Sequence, residues 1–62
     1  MKGKLDRWIE GKGYGFIKVN NESYFLHISQ MRDGIKPQVD DMLKFDVVET
    51  SKGKQAQNVI IL

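Results

Sequence analysis

Sixty-two residues with ten Lys and Arg, eight Asp and Glu, one His and no Cys make one small domain of formal charge +2. The lack of Cys excludes a disulfide scaffold and a thiolate metal site, and a single His cannot close a metal site by itself. No apolar run approaches the roughly 20 residues of a membrane span and no signal-peptide core opens the chain, so a soluble, cytoplasmic protein without membrane contact is expected.

Met1 to Ile9 reads as a first strand, with Leu5 on one face and Lys4, Asp6 and Trp8 on the other. Glu10-Gly11 turns into a second strand from about Gly13 to Val19. Alternation there puts Tyr14, Phe16 and Lys18 on one face and Ile17 and Val19 on the other. Gly13 and Gly15 weaken a strand and make most sense where a backbone or a flat ligand comes close. Asn20-Asn21 suits a tight hairpin turn, so strands 2 and 3 are expected to be antiparallel neighbours. The third strand, Tyr24-Phe25-Leu26-His27-Ile28, sets Phe25 and His27 on one face and Tyr24, Leu26 and Ile28 on the other.

Ser29 to Gly34 begins with a capping residue and ends with a helix-stopping one, which predicts one short helical turn capped by Ser29. Residues 35–41 form a loop with the only proline, Pro37. Met42 to Glu49 alternates again, with Leu43, Phe45 and Val47 inward and Met42, Lys44 and Asp46 outward. Residues 50–54 read as a polar, flexible connection. Gln55 to Leu62 is a last strand whose uniformly apolar end suggests a bulge. Five short strands without a long helix bury their inner faces best by closing. The expected fold is all-β: a five-stranded antiparallel OB-fold barrel with a short helical turn after strand 3, one domain over residues 1–62.

Pairing of strands 2 and 3 would join Tyr14, Phe16, Phe25 and His27 into one flat surface suited to the faces of unstacked bases. The competing reading buries these rings as an ordinary core. Ile17, Val19, Tyr24 and Leu26 already supply core from the opposite face, while glycines and lysines surround the rings, and both facts favour an exposed platform. Lys12 opens the aromatic motif and is a candidate phosphate contact. Trp8 divides between core filler and stacking residue. His27, Ser29 and Asp33 lie in one short segment with no cleft expected, so no catalytic residues are assigned and an enzyme is not expected.

These residues carry a resemblance to the bacterial cold-shock domain over nearly the whole chain. Lys12-Gly13-Tyr14-Gly15-Phe16-Ile17 is similar to the family's first ribonucleoprotein motif and Phe25-Leu26-His27 with Ser29 to its second. Pro37-Gln38-Val39-Asp40-Asp41 with Leu43 and Phe45 resembles the approach to strand 4, and Lys52-Gly53, Gln55-Ala56 and Asn58-Val59 resemble the last hairpin. Either aromatic motif alone is a weak signal; both in this order and spacing are specific. The RRM shares the first motif but needs two amphipathic helices, and none fits here.

The resemblance implies a monomer that binds single-stranded RNA or DNA with little sequence preference, as an RNA chaperone or regulator of transcription or translation, without cofactor or small-molecule substrate. Trp8, Lys12, Tyr14, Phe16, Phe25 and His27 are its expected nucleic-acid contacts. Arg7, Lys18, Ile28, Ile35 and Lys52 are candidate secondary ones. The family usually has Trp-Phe where this chain has Arg7-Trp8, so either Trp8 slips by one residue into the stacking place or Arg7 supplies a guanidinium plane there and Trp8 fills the second place. Strand parity favours Trp8 outside. Ile28 and Ile35 stand where many members carry Phe, which trims the platform at its rim. A protein-interaction barrel using the same patch, or an oligosaccharide-binding barrel, are the alternatives.

Overall fold

A computed structural model describes all residues, 1–62. Five strands follow in chain order: β1 (Lys2–Ile9), β2 (Tyr14–Val19), β3 (Glu22–His27), β4 (Met42–Thr50) and β5 (Gly53–Ile61). They close into a barrel in the spatial order β1-β2-β3-β5-β4. Closure leaves no free edge, which lets a chain this short bury one face of every strand. The interior holds Leu5, Ile17, Tyr24, Leu26, Met31, Leu43, Phe45, Ala56 and Val59, all buried. No helix is long and apolar enough to cross a membrane.

The β2–β3 hairpin forms as the sequence predicts. Val19 pairs with Glu22 across a two-residue loop, and Asn20 takes the positive φ of 55° that the turn needs. The neighbouring pairs are antiparallel except one: β3 and β5 meet in parallel, with Phe25 beside Gln55. The barrel is therefore mixed where a purely antiparallel one was expected. The joint between two strands distant in sequence has no turn to set its direction.

Three local expectations change. The helical turn is a 3-10 turn over Ile28–Gln30, and its cap is His27, whose Nδ1 accepts the Ser29 N–H at 3.1 Å. Ser29 sits inside the turn, and Ile28 leaves the strand to pack half-buried on the core. The polar connection at 50–54 tightens to the two residues Ser51-Lys52. There Thr50 Oγ1 accepts the Lys52 N–H at 3.1 Å and donates to the Gly53 carbonyl at 2.9 Å. The bulge in β5 is present: the register against β4 shifts between Lys44 and Asp46, and Asn58 takes φ 54°. It leaves Gln57 and Asn58 both exposed between the buried Ala56 and Val59.

A second bulge lies in β1. Leu5 pairs with Ile17, but Arg7, not Asp6, pairs with Phe16, followed by Trp8 with Gly15 and Ile9 with Tyr14. Every side chain of β1 after Asp6 thus changes face. The loop before β4 braces this point, since Leu5 donates its N–H to the Asp41 carbonyl and accepts from the Asp40 N–H, both at 2.9 Å.

Gly15 is needed by the interior. A Cβ there would stand 2.7 Å from Trp8 Cε3 and press on the Arg7 carbonyl oxygen, a backbone atom that cannot swing aside. The close approach expected at this glycine is made by strand β1, not by a ligand. Gly15→Ala should cost about 1–3 kcal/mol through overpacking, lowering the urea midpoint at unchanged m-value; an unchanged midpoint would mean that β1 does not lie this close.

Candidate nucleic-acid interface

The outward face of β2 and β3 takes shape from register. Phe16 lies opposite Phe25 and Tyr14 opposite His27, while the β1 bulge brings Arg7 opposite Phe16 and Ile9 opposite Tyr14. Gln55 of β5 continues the row beyond Phe25. One line of side chains, Arg7, Phe16, Phe25 and Gln55, therefore crosses four strands.

The three rings are half-buried and lie outside the core. Each touches the other two: Tyr14 and Phe25 are tilted with centroids 5.3 Å apart, Phe16 and Phe25 meet edge-on at 5.9 Å, and Tyr14 and Phe16 edge-on at 6.3 Å. These are favourable aromatic geometries, so the rings hold one another in place while keeping part of their surface to solvent. The Arg7 guanidinium carbon sits 5.8 Å from the Phe16 centroid and extends the planar surface with a cation.

Trp8 departs from the parity expectation. The bulge at Asp6 turns it to the inner side over Gly15, where it is half-buried and packs against the core. Arg7 takes the outward place. Exposed His27 anchors its ring by the Nδ1 contact with Ser29 Oγ at 2.8 Å.

Lys12 and Lys18 are exposed and form no ion pair, and neither does Lys52 in the β4–β5 turn. Lys52, Lys54 and Gln55 line a shallow groove with Phe16 and Phe25. Lys54 and Gln55 escape a reading of the sequence because only the β3–β5 joint brings them beside Phe25. Ile35 is 58% exposed on the loop before β4. An ion pair of 2.5 Å between Lys36 and Glu10 ties that loop to the β1–β2 turn carrying Lys12. No group of three or more His, Cys, Asp or Glu gathers as a metal site.

At the groove's other end Lys54 donates to Glu22 Oε1 at 3.2 Å and the buried Tyr24 hydroxyl donates to Oε2 at 3.1 Å. The Lys54 hydrogen bond, then that of Tyr24, holds the Glu22 carboxyl below the usual carboxylate range. The same contact raises Lys54. Burial, then Glu22, raises the Tyr24 phenol.

The profile of the 'Cold-shock' DNA-binding domain matches residues 1–62. The chain belongs to this family. It is 39% identical over 66 aligned positions to "Cold shock protein CspA" of Staphylococcus aureus (strain USA300), covering all of both chains. It is 37% identical to a "Cold shock-like protein" of Aquifex aeolicus, covering all of this chain and 94% of that one. Among solved structures, drosophila Unr CSD456 superposes with a TM-score of 0.79 at 20% identity, over 98% of this chain and 26% of that chain. That likeness carries the fold alone.

The Glu22–Lys54 contact has a defined pH window. Glu22, lowered on folding, contributes stability above the ordinary carboxylate range that is lost as pH falls through its lowered value. Lys54, raised on folding, contributes below the ordinary lysine range and loses it as pH rises through its raised value. The melting-temperature difference between wild type and Glu22→Gln should therefore be largest near neutral pH and close in acid; a difference that persists in acid would assign it to something other than this pair.

Proposed function

We propose that this chain binds single-stranded RNA or DNA with low sequence preference. Bases stack on Tyr14, Phe16, Phe25 and His27, Arg7 extends the stacking surface, and Lys12, Lys18, Lys52 and Lys54 meet the phosphates. It acts as a monomer in the cytoplasm, as an RNA chaperone or a regulator of transcription or translation, and carries out no catalysis. The observation that supports this most is the contrast between its aromatics. Tyr24 and Phe45 pack together inside, at 5.6 Å, while Tyr14, Phe16 and Phe25 form a second cluster kept partly in water. A chain with so small a core gives up stability by that division, and base faces are the partner that restores it. The family and the relatives' names fit the same reading.

Stacking contributes about 1–3 kcal/mol per base, so three or four bases give dissociation constants on the order of micromolar after ordering costs. With about four phosphates engaged, the logarithmic salt slope is about −3. Titration of a short oligo-dT at several salt concentrations, followed by Trp8 fluorescence and by anisotropy of a labelled strand, tests both figures. Phe16→Ala should weaken binding by about 1–3 kcal/mol with little change in melting temperature. Unfolding would show the ring to be core. Absence of oligonucleotide binding, with salt-independent capture of a protein partner, would favour an interaction barrel instead.

The two residues of β1 separate cleanly. Arg7→Ala should weaken binding by about 0.5–1 kcal/mol and lose no more stability than its exposed contact with Phe16 supplies, whereas Trp8→Ala should lower the melting temperature much further by removing a ring packed on Gly15. The reverse pattern, measured by anisotropy of the labelled strand and by thermal denaturation, would place Trp8 outside after all.

A further inference from the structure

A second feature of the outer wall lies beyond the rings. On β1, Lys2 stands directly opposite Lys44 of β4, and Lys4 directly opposite Lys18 of β2. All four are exposed and none forms an ion pair. The nearest acids are Asp6, displaced at the bulge, Asp40 and Asp41, whose backbone meets Leu5 beside Lys4, and Asp46, two residues past Lys44; none forms an ion pair with a lysine of the stripe. Like charges facing each other across strands destabilise a sheet. Here two such pairs follow one another on a single strand, in a chain whose total excess is only +2.

The stripe is continuous with the aromatic platform. Lys18 follows Phe16 by two residues on the same face of β2, and the two lysine pairs are separated by two residues of β1, roughly 6.8 Å. An extended polynucleotide backbone can follow that spacing from phosphate to phosphate. A strand leaving Phe16 meets Lys18 and Lys4 first, then Lys2 and Lys44, with no aromatic ring on either row.

We propose that the stripe Lys18, Lys4, Lys2 and Lys44 is a stacking-free phosphate track, over which single-stranded nucleic acid continues across β1 to β4 after leaving the platform. The inference rests on the platform reading above and extends it. The rings fix the strand by its bases, and the stripe lengthens the footprint by charge alone, so the added affinity is electrostatic and independent of base identity.

Two oligo-dT lengths, about four and about twelve nucleotides, separate platform from track. For wild type the longer strand should show a salt slope steeper than the shorter by about 2, from about three further phosphates at roughly 0.7 each. Lys2→Gln combined with Lys44→Gln should reduce that difference to below about 1 and weaken the longer strand about five-fold at low salt, leaving the shorter within about two-fold. This variant removes a like-charge pair, so its melting temperature should not fall. Lys2→Arg with Lys44→Arg should keep the wild-type slope.

An unchanged slope for the Gln variant overturns the track while leaving the platform intact. Loss of binding to vesicles of anionic lipid at an unchanged oligonucleotide slope overturns it in favour of a membrane surface. Failure of wild type to bind either strand overturns the platform reading, and the track with it.

Discussion

Trp8 lying across Gly15 is the contact on which the outer wall depends. The Asp6 bulge reverses the facing of β1, sending Trp8 inward and Arg7 and Ile9 outward. Without the bulge, regular alternation would put Trp8 beside the rings and turn the Arg7 guanidinium toward a core that offers it no acceptor. Gly15 provides the space, because a Cβ there would meet both the indole ring and the Arg7 carbonyl. One extra residue in β1 and one missing side chain in β2 together decide which groups a ligand can touch.

The platform itself is preorganised by the rings and not by hydrogen bonds. Tyr14, Phe16 and Phe25 form a closed triangle of contacts, so each is held by two others even though none is sealed in the core. A surface whose side chains are already ordered loses little entropy when a flat group settles on it. His27 shares this economy, since the contacts that fix its ring also cap the 3-10 turn.

The sequence makes the local features readable and hides the distant ones. Alternation identifies the faces of β2 and β3 because Gly15, Ile17, Tyr24 and Leu26 are buried while their neighbours are not. Asn20-Asn21 announces its own turn, and the apolar end of β5 points to a bulge, which falls just before it at Asn58. The bulge at Asp6 leaves no comparable mark: it is braced by the hydrogen bonds that Leu5 accepts from Asp40 and donates to Asp41, more than thirty residues away, and by the fit of Trp8 over Gly15. The parallel joint of Phe25 with Gln55 is equally remote, which is why Lys54 and Gln55 read as parts of a loop and a plain strand. The 3-10 turn over Ile28–Gln30 is capped by His27 and not by Ser29, the imidazole nitrogen accepting a backbone N–H as a serine oxygen does.

Two ion pairs flank the same surface. Glu10 holds Lys36 beside the β1–β2 turn, and Glu22 holds Lys54 beside the groove. Exposed pairs of this kind contribute little to stability, but each holds its lysine to a carboxylate. On the proposed reading a phosphate would have to displace Glu22 from Lys54, whereas Lys12, Lys18 and Lys52 are unopposed. The lysines without partners can attract a polyanion from a distance, while the paired ones exchange an internal contact for an external one and add less net affinity. Charge on this small barrel is therefore graded by what each lysine gives up on binding, a distinction that the total of +2 conceals.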